Sequence, residues 1–155
     1  MAPRPTFTYK GQPVRAAGIL LYTYVRGQKW YLLRKAKGKW QDMGGKTDDH
    51  DSSIVETAIR EACEETNGRI FCEDDTYETC MARLQSMIGK GRGHRIRYNK
   101  KSKYVLFVLQ VENIMHLPMS RFGSCEADGM KHVYKWFCKL PKLHYRLRGM
   151  SLHSI

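Results

Sequence analysis

Three glutamates on one short stretch are the residues best suited to chemistry in this 155-residue chain. They lie in Arg60-Glu61-Ala62-Cys63-Glu64-Glu65. On a helix, at ~100° per residue, Glu61, Glu64 and Glu65 share an arc of about 100°. Like charges at such spacings repel by a few tenths of a kcal/mol per pair. No lysine stands one turn away to relieve them. Mg²⁺ or Mn²⁺ gives a reason to keep all three, because hard cations take oxygen ligands and keep waters and phosphate oxygens beside them. An acidic face turned to solvent accounts for the same pattern, and the helix alone does not decide. Just upstream stands Gly44-Gly45-Lys46. Paired glycines let the main chain approach a ligand closely, so a loop folded against the helix could contribute a carbonyl oxygen to a metal, and Lys46 could then meet a phosphate. A plain turn is the simpler reading of the same glycines.

The elements that must carry these residues follow from hydrophobic pattern and turn signals. Residues 53–66 read as a helix, with Ser53 as N-cap, Glu56 completing a capping box, and Asn67-Gly68 as the stop. Val55, Ile59, Ala62 and Thr66 form its apolar stripe, opposite the glutamate arc. Ala16 to Val25 and Lys29 to Arg34 read as a hairpin turning at Arg26-Gly27-Gln28. Tyr104 to Val111 is a near-continuous apolar strand, expected to be buried on both faces. Residues 69–73 and 132–137 read as further strands, and 79–88 as helix or strand. Residues 140–147 read as a terminal helix. The proline-rich residues 1–13 read as a flexible N-terminal arm. No repeat or second domain is visible, so 1–155 is expected to form one domain of α+β class.

The composition narrows the functional classes. Hydrophobic residues make up 42% and charged residues 27%, which is ordinary for a globular chain rather than a disordered one. No apolar run is long enough to span a membrane, and the first residues lack a secretory h-region. The expected location is cytoplasmic, with the nucleus or a virus-infected host cell as alternatives, and not secreted. Five cysteines without a CxxC pair argue for reduced thiols rather than a disulfide frame or zinc site. The net charge is +12, yet 12 of the 15 acidic residues fall between Asp42 and Glu78 against three basic ones. The segment carries −9 and the remainder +21. An acidic island for a cation inside a basic protein for a polyanion fits that split.

The stretch from Gly45 resembles the signature of the Nudix hydrolases: a Gly, five residues, a Glu, seven residues, then Arg-Glu-aliphatic-x-Glu-Glu-x-Gly. Here it reads Gly45-Lys46-Thr47-Asp48-Asp49-His50-Asp51 and Arg60-Glu61-Ala62-Cys63-Glu64-Glu65-Thr66-Asn67. Asp51 stands where the family has Glu, one extra residue precedes Arg60, Ala62 is a small aliphatic residue, and Asn67 replaces the closing Gly. The resemblance implies an α/β/α sandwich with a mixed central sheet and the catalytic helix at about 53–66. It implies a divalent-metal-dependent pyrophosphohydrolase with Mg²⁺ or Mn²⁺ on Glu61, Glu64 and Glu65, aided by the Gly44 carbonyl. Glu61 or Glu65 would be the base, and Asp51 would salt-bridge Arg60. Many relatives add an acid from a loop before the last strand; Glu126 is preferred over Asp128, although an ordinary loop acid explains either. Lys46 and Arg34 are the candidates for phosphate contact, Arg34 being equally explained as a solvated strand end.

The substrate is read from charge. Residues 90–103 carry Lys90, Arg92, Arg95, Arg97, Lys100, Lys101 and Lys103 around Tyr98 and no acid. Such a loop can follow a phosphate backbone while Tyr98 stacks on a base; a solvated loop is the plainer alternative. Tyr22, Tyr24, Trp30 and Trp40 could form a stacking wall or simply core. A phosphorylated nucleotide or capped RNA is the expected partner, with no membrane, and the expected activity is mRNA decapping. Diphosphoinositol polyphosphate, dinucleoside polyphosphate and nucleotide hydrolysis are the alternatives, with a non-catalytic RNA- or nucleotide-binding module as the reading from another class.

Overall fold

The computed structural model describes residues 3–90, 94–123 and 133–152. Nine strands and two helices run in the order β1 (Phe7–Tyr9), β2 (Gln12–Val14), β3 (Ala16–Val25), β4 (Gln28–Ala36), β5 (Lys39–Gln41), β6 (Met43–Lys46), α1 (Ile54–Thr66), α2 (Tyr77–Lys90), β7 (His94–Asn99), β8 (Tyr104–Gln110) and β9 (Val133–Phe137). The class is α+β with a mixed sheet. Residues 3–13 are not a loose arm. Lys10 and Gly11, both at positive φ, close the β1–β2 hairpin, and the prolines flank or edge it. Lys37-Gly38 and Arg26-Gly27 repeat this device between β4 and β5 and between β3 and β4. Two successive residues at φ > 0 define the tight turn whose twist matches paired strands.

β3 organises the sheet. Its apolar run lies parallel to β8, with Ala16 opposite Tyr104 and Tyr22 opposite Gln110. The other edge of β3 is divided: β6 pairs with residues 16–19 and β4 with residues 21–25. β9 adds to β4, and β7 closes the far edge beyond β8. A parallel pair in mid-sheet must be covered on both faces. One face packs under α1 and α2 through Ile19, Leu21, Ala58, Ala62, Leu84, Val105 and Phe107. The other face carries Leu20, Tyr31, Leu33, Tyr104, Leu106 and Val108, and Leu147 and Leu152 cover it. The segment expected to be helical, residues 140–147, ends at Leu147. It forms only a 3₁₀ turn at Tyr145–Leu147, because Pro141 and Gly149 flank it and leave too few residues for a stable α-helix.

Three further expectations change. Residues 69–73 pair with no strand; bends replace it. Residues 79–88 belong to α2, where Cys80 and Leu84 are buried one turn apart. Part of the basic segment 90–103 is not loop but β7, and Tyr98 donates its hydroxyl to the Pro13 carbonyl at 2.7 Å and packs on Tyr9. Among the described residues no helix is long and apolar enough to cross a membrane, and Cys63, Cys72, Cys80 and Cys138 are free thiols.

Candidate active site

Helix α1 begins where its sequence says it should. Ser53 Oγ accepts from the Glu56 N–H at 3.1 Å. The reciprocal half of the box is shifted by one residue, because the Glu56 carboxylate takes the Ser52 hydroxyl instead. Asn67 ends the helix at φ 54°, and its backbone N–H returns to the Cys63 carbonyl. Its side-chain amide donates to the Phe122 carbonyl, an anchoring that a glycine could not supply.

The glutamates do not share one solvent face. The Glu65 side chain is only 6% exposed and that of Glu61 17%, whereas Glu64 is 53% exposed. α1 lies against β6 with its Glu61/Glu65 side, while Ile59, Ala62 and Cys63 enter the core. The Glu61 carboxylate fits there because of Gly45. A Cβ on Gly45 would lie 2.5–2.7 Å from the three carboxyl atoms of Glu61. Gly44 serves a different purpose. A Cβ there would strike the Tyr104 hydroxyl and the Gly18 Cα, its cross-strand partner.

Two arginines relieve the crowding that the sequence left without a visible counter-charge. Arg60 reaches Asp51 through Nε (2.9 Å) and Nη2 (3.0 Å), Glu61 through Nη1 (3.1 Å) and Glu64 through Nη1 (3.3 Å). Its Nη2 also donates to the Lys46 carbonyl at 2.9 Å, which ties the glycine strand to the helix. Asp51, just before the helix, also accepts from the Asp48 N–H and the Thr57 hydroxyl. Burial opposes the ionisation of Asp51, but these donors outweigh it and hold its carboxyl below the usual range. Arg34, from β4, is buried and pairs with Glu65 Oε1 at 3.1 Å. It is therefore no solvated strand end.

These residues open on a cavity of about 530 Å³. Glu61 and Glu65 form its acidic wall; Arg4, Arg15, Arg34, Lys37, Lys46 and Arg146 make the rest strongly basic. Burial raises the proton affinity of both carboxylates, most of all that of Glu65, against the pull of Arg34 on Glu65 and of Arg60 on Glu61. Glu65 Oε2 is buried and has no hydrogen-bond partner. A buried carboxylate oxygen left so is costly, and a hard divalent cation is the ligand its chemistry suits. The donor set therefore fits Mg²⁺ or Mn²⁺.

Sequence reasoning missed a second buried network beside the first. Asp42 is fully buried and accepts from the Tyr104 hydroxyl. It also accepts from Arg146 Nη2 at 2.8 Å and Nε at 3.0 Å. The Arg146 guanidinium stands 4.7 Å over the Tyr104 ring. The glycine pair Gly18 and Gly44 makes room for Asp42 and Tyr104. Tyr22, Tyr24, Trp30 and Trp40 do not line this cavity; Tyr22 is core and Trp40 packs edge-on against Phe137 at 4.7 Å. Asp48, Asp49 and His50 come close together, but mostly exposed and on the loop before α1. Glu126 and Asp128 lie outside the described residues, as does Arg92 of the basic segment.

No family model and no curated protein matches the chain. Solved structures do. The Ap4A hydrolase of C. elegans, in a binary complex, is 21% identical over 79% of this chain and 78% of that chain, with a TM-score of 0.45. The Nudix domain of NrtR from Shewanella oneidensis, complexed with ADP ribose, is 15% identical over 90% of this chain and 84% of that chain, with a TM-score of 0.49. Likenesses at this level assign no activity to the chain.

Proposed function

We propose that the chain is a divalent-metal-dependent pyrophosphohydrolase of the Nudix type, acting on a substrate with a nucleoside diphosphate linkage. One observation carries this reading: two carboxylates from one helix, Glu65 buried and Glu61 largely so, stand at the wall of a cavity whose other walls are strongly cationic. Buried acids facing arginines and lysines suit a negatively charged ligand only when a cation joins them. Glu61, Glu64, Glu65 and the Gly44 carbonyl would hold that ion. When bound, it lowers the pKa of its water and neutralises charge on the attacked phosphoryl group.

The chain's own residues supply the rest. Of the inner pair, Glu65 is the better proton acceptor from the attacking water, since its burial raises its proton affinity most. Arg34 holds one of its oxygens and so fixes the direction of the other. Lys46 and the cavity arginines orient the phosphates, and positioning with electrostatic stabilisation is most of what phosphoryl transfer requires. Asp51 and Arg60 brace the glycine strand against α1.

Six cations line the cavity, of which Arg34 and Arg146 already pair with Glu65 and Asp42; the other four favour a polyphosphate chain over a single diphosphate, and we place a capped RNA end first among substrates. Dinucleoside polyphosphates, nucleotides and diphosphoinositol polyphosphates are the competing substrates, and a non-catalytic nucleotide-binding module is the competing class. The test is a panel of these compounds with Mg²⁺ and with Mn²⁺, products identified by mass. Release of a nucleoside diphosphate from capped RNA is the expected result. Cleavage of a different compound moves the substrate; cleavage of none overturns the hydrolase.

A further inference from the structure

A second cavity, of about 450 Å³, adjoins the first. Its lining includes Tyr98, Lys100, Lys101, Tyr145 and Arg148. Tyr145 also lines the carboxylate cavity, so the two cavities share this residue. The cavities differ in charge. The first combines two glutamates with its cations, whereas among the described residues no acidic side chain lines the second. The described lining of that second cavity is cationic and aromatic, suited to an anion rather than to a metal. Its size falls within the ~300–1,000 Å³ typical of small-ligand clefts.

Its walls are held in place. Asn99, at the end of β7, donates from Nδ2 to the Arg146 and Arg148 carbonyls at 3.0 and 3.4 Å. The same Asn99 accepts the Lys101 and Ser102 N–H groups through Oδ1. One side chain therefore fastens the β7–β8 turn, which bears Lys100 and Lys101, to the segment that bears Tyr145. Tyr145 stays 63% exposed, although its ring lies 4.5 Å from that of His144. An exposed aromatic face backed by another ring, next to three cations, is the pairing that binds single-stranded nucleic acid: stacking for a base and charge for its phosphates.

We infer that this second cavity binds the strand that follows the phosphate chain, so that the ligand is a single-stranded nucleic acid whose polyphosphorylated 5′ end enters the carboxylate cavity past Tyr145. The placement of that 5′ end rests on the proposed hydrolase; the binding of the strand does not.

The probe is a fluorescent 5′-triphosphorylated RNA 10-mer, titrated by anisotropy without divalent ions so that nothing is turned over. The double variant Lys100→Gln/Lys101→Gln should weaken it about tenfold and lower the salt slope by about 1.4, the effect of two lost phosphate contacts on a single strand. Tyr145→Ala should weaken it with the slope unchanged. Binding of GTP should stay within about twofold in the lysine variant. A DNA 10-mer of the same sequence, run alongside, separates the two strand chemistries, and weakening in either arm supports the site. Unchanged strand affinity in the lysine variant in both arms overturns the inference. So does an equal loss for GTP, which would mean a general loss of charge attraction. If the wild type cleaves no anhydride yet these variants lose the strand, the hydrolase fails and the strand site stands.

Discussion

Gly45→Ala tests whether the glycine strand exists for the fold or for the carboxylate beside it. The new Cβ would lie 2.5 Å from the nearest Glu61 carboxyl atom, where ordinary contact begins at 3.4 Å, so the carboxyl must retreat by about 0.9 Å. It is the end of a flexible side chain, and retreat costs a rotamer adjustment of roughly 1 kcal/mol. Stability should therefore change little, while a displacement of that size at a reacting site lowers turnover about 100-fold. Gly44→Ala, one position away, would meet the Ala17 carbonyl at 2.7 Å and the Gly18 Cα at 2.6 Å. Backbone cannot step aside so cheaply, and this variant should lose the fold itself. Thermal melts and Mn²⁺-dependent cleavage of the panel's best substrate read the pair. If Gly45→Ala keeps wild-type turnover, the position of Glu61 does not matter to the chemistry and the assigned site is wrong. If both variants melt alike, the distinction between the two glycines fails.

Glu65→Gln should lower turnover by at least ~100-fold, the scale of a lost general base, and should abolish the rise in melting temperature that millimolar Mn²⁺ gives the wild type; a retained rise would remove Glu65 from the ion. Asp42→Ala should destabilise the chain by about 3–5 kcal/mol in urea titrations, since it leaves Arg146 without its buried partner. Asp51 titrates below its unfolded value of ~3.9, so the stability it confers is present above that pH and is lost as pH falls through its folded value. Asp51→Asn should therefore flatten the acid limb of a stability-against-pH curve, and an unaltered limb would show that the Arg60 pairing contributes nothing.

What the sequence revealed was what is local in it. A cap, a stop and a 3.6-residue period lie within one helix, so α1 could be read to within a residue. The short positive-φ turn at Arg26-Gly27 made the β3–β4 hairpin readable in the same way. The orientation of the glutamates was less accessible. Opposing them to the apolar stripe was sound as helix geometry, but it left open whether the opposite side meets solvent; β6 lies against Glu61 there, and Glu64 stays exposed. Arg34 could not be matched with Glu65, nor Asp42 with Arg146, because those pairs form only when distant strands and the C-terminal segment meet. One trace of the second network was in view: Gly18, a glycine inside an otherwise bulky strand, marks a place where something approaches closely. The N-terminal prolines suggested slack chain because their count says nothing of the hairpin they border.

The carboxylate cavity takes its walls from both extremities of the described chain, Arg4 and Arg15 on one side and His144 to Arg146 on the other. A nascent chain on the ribosome can complete α1 and β6 early, yet it lacks a finished pocket until Arg146 has left the exit tunnel. Any excised fragment centred on the helix would likewise keep Glu61 and Glu65 without the basic walls that enclose them.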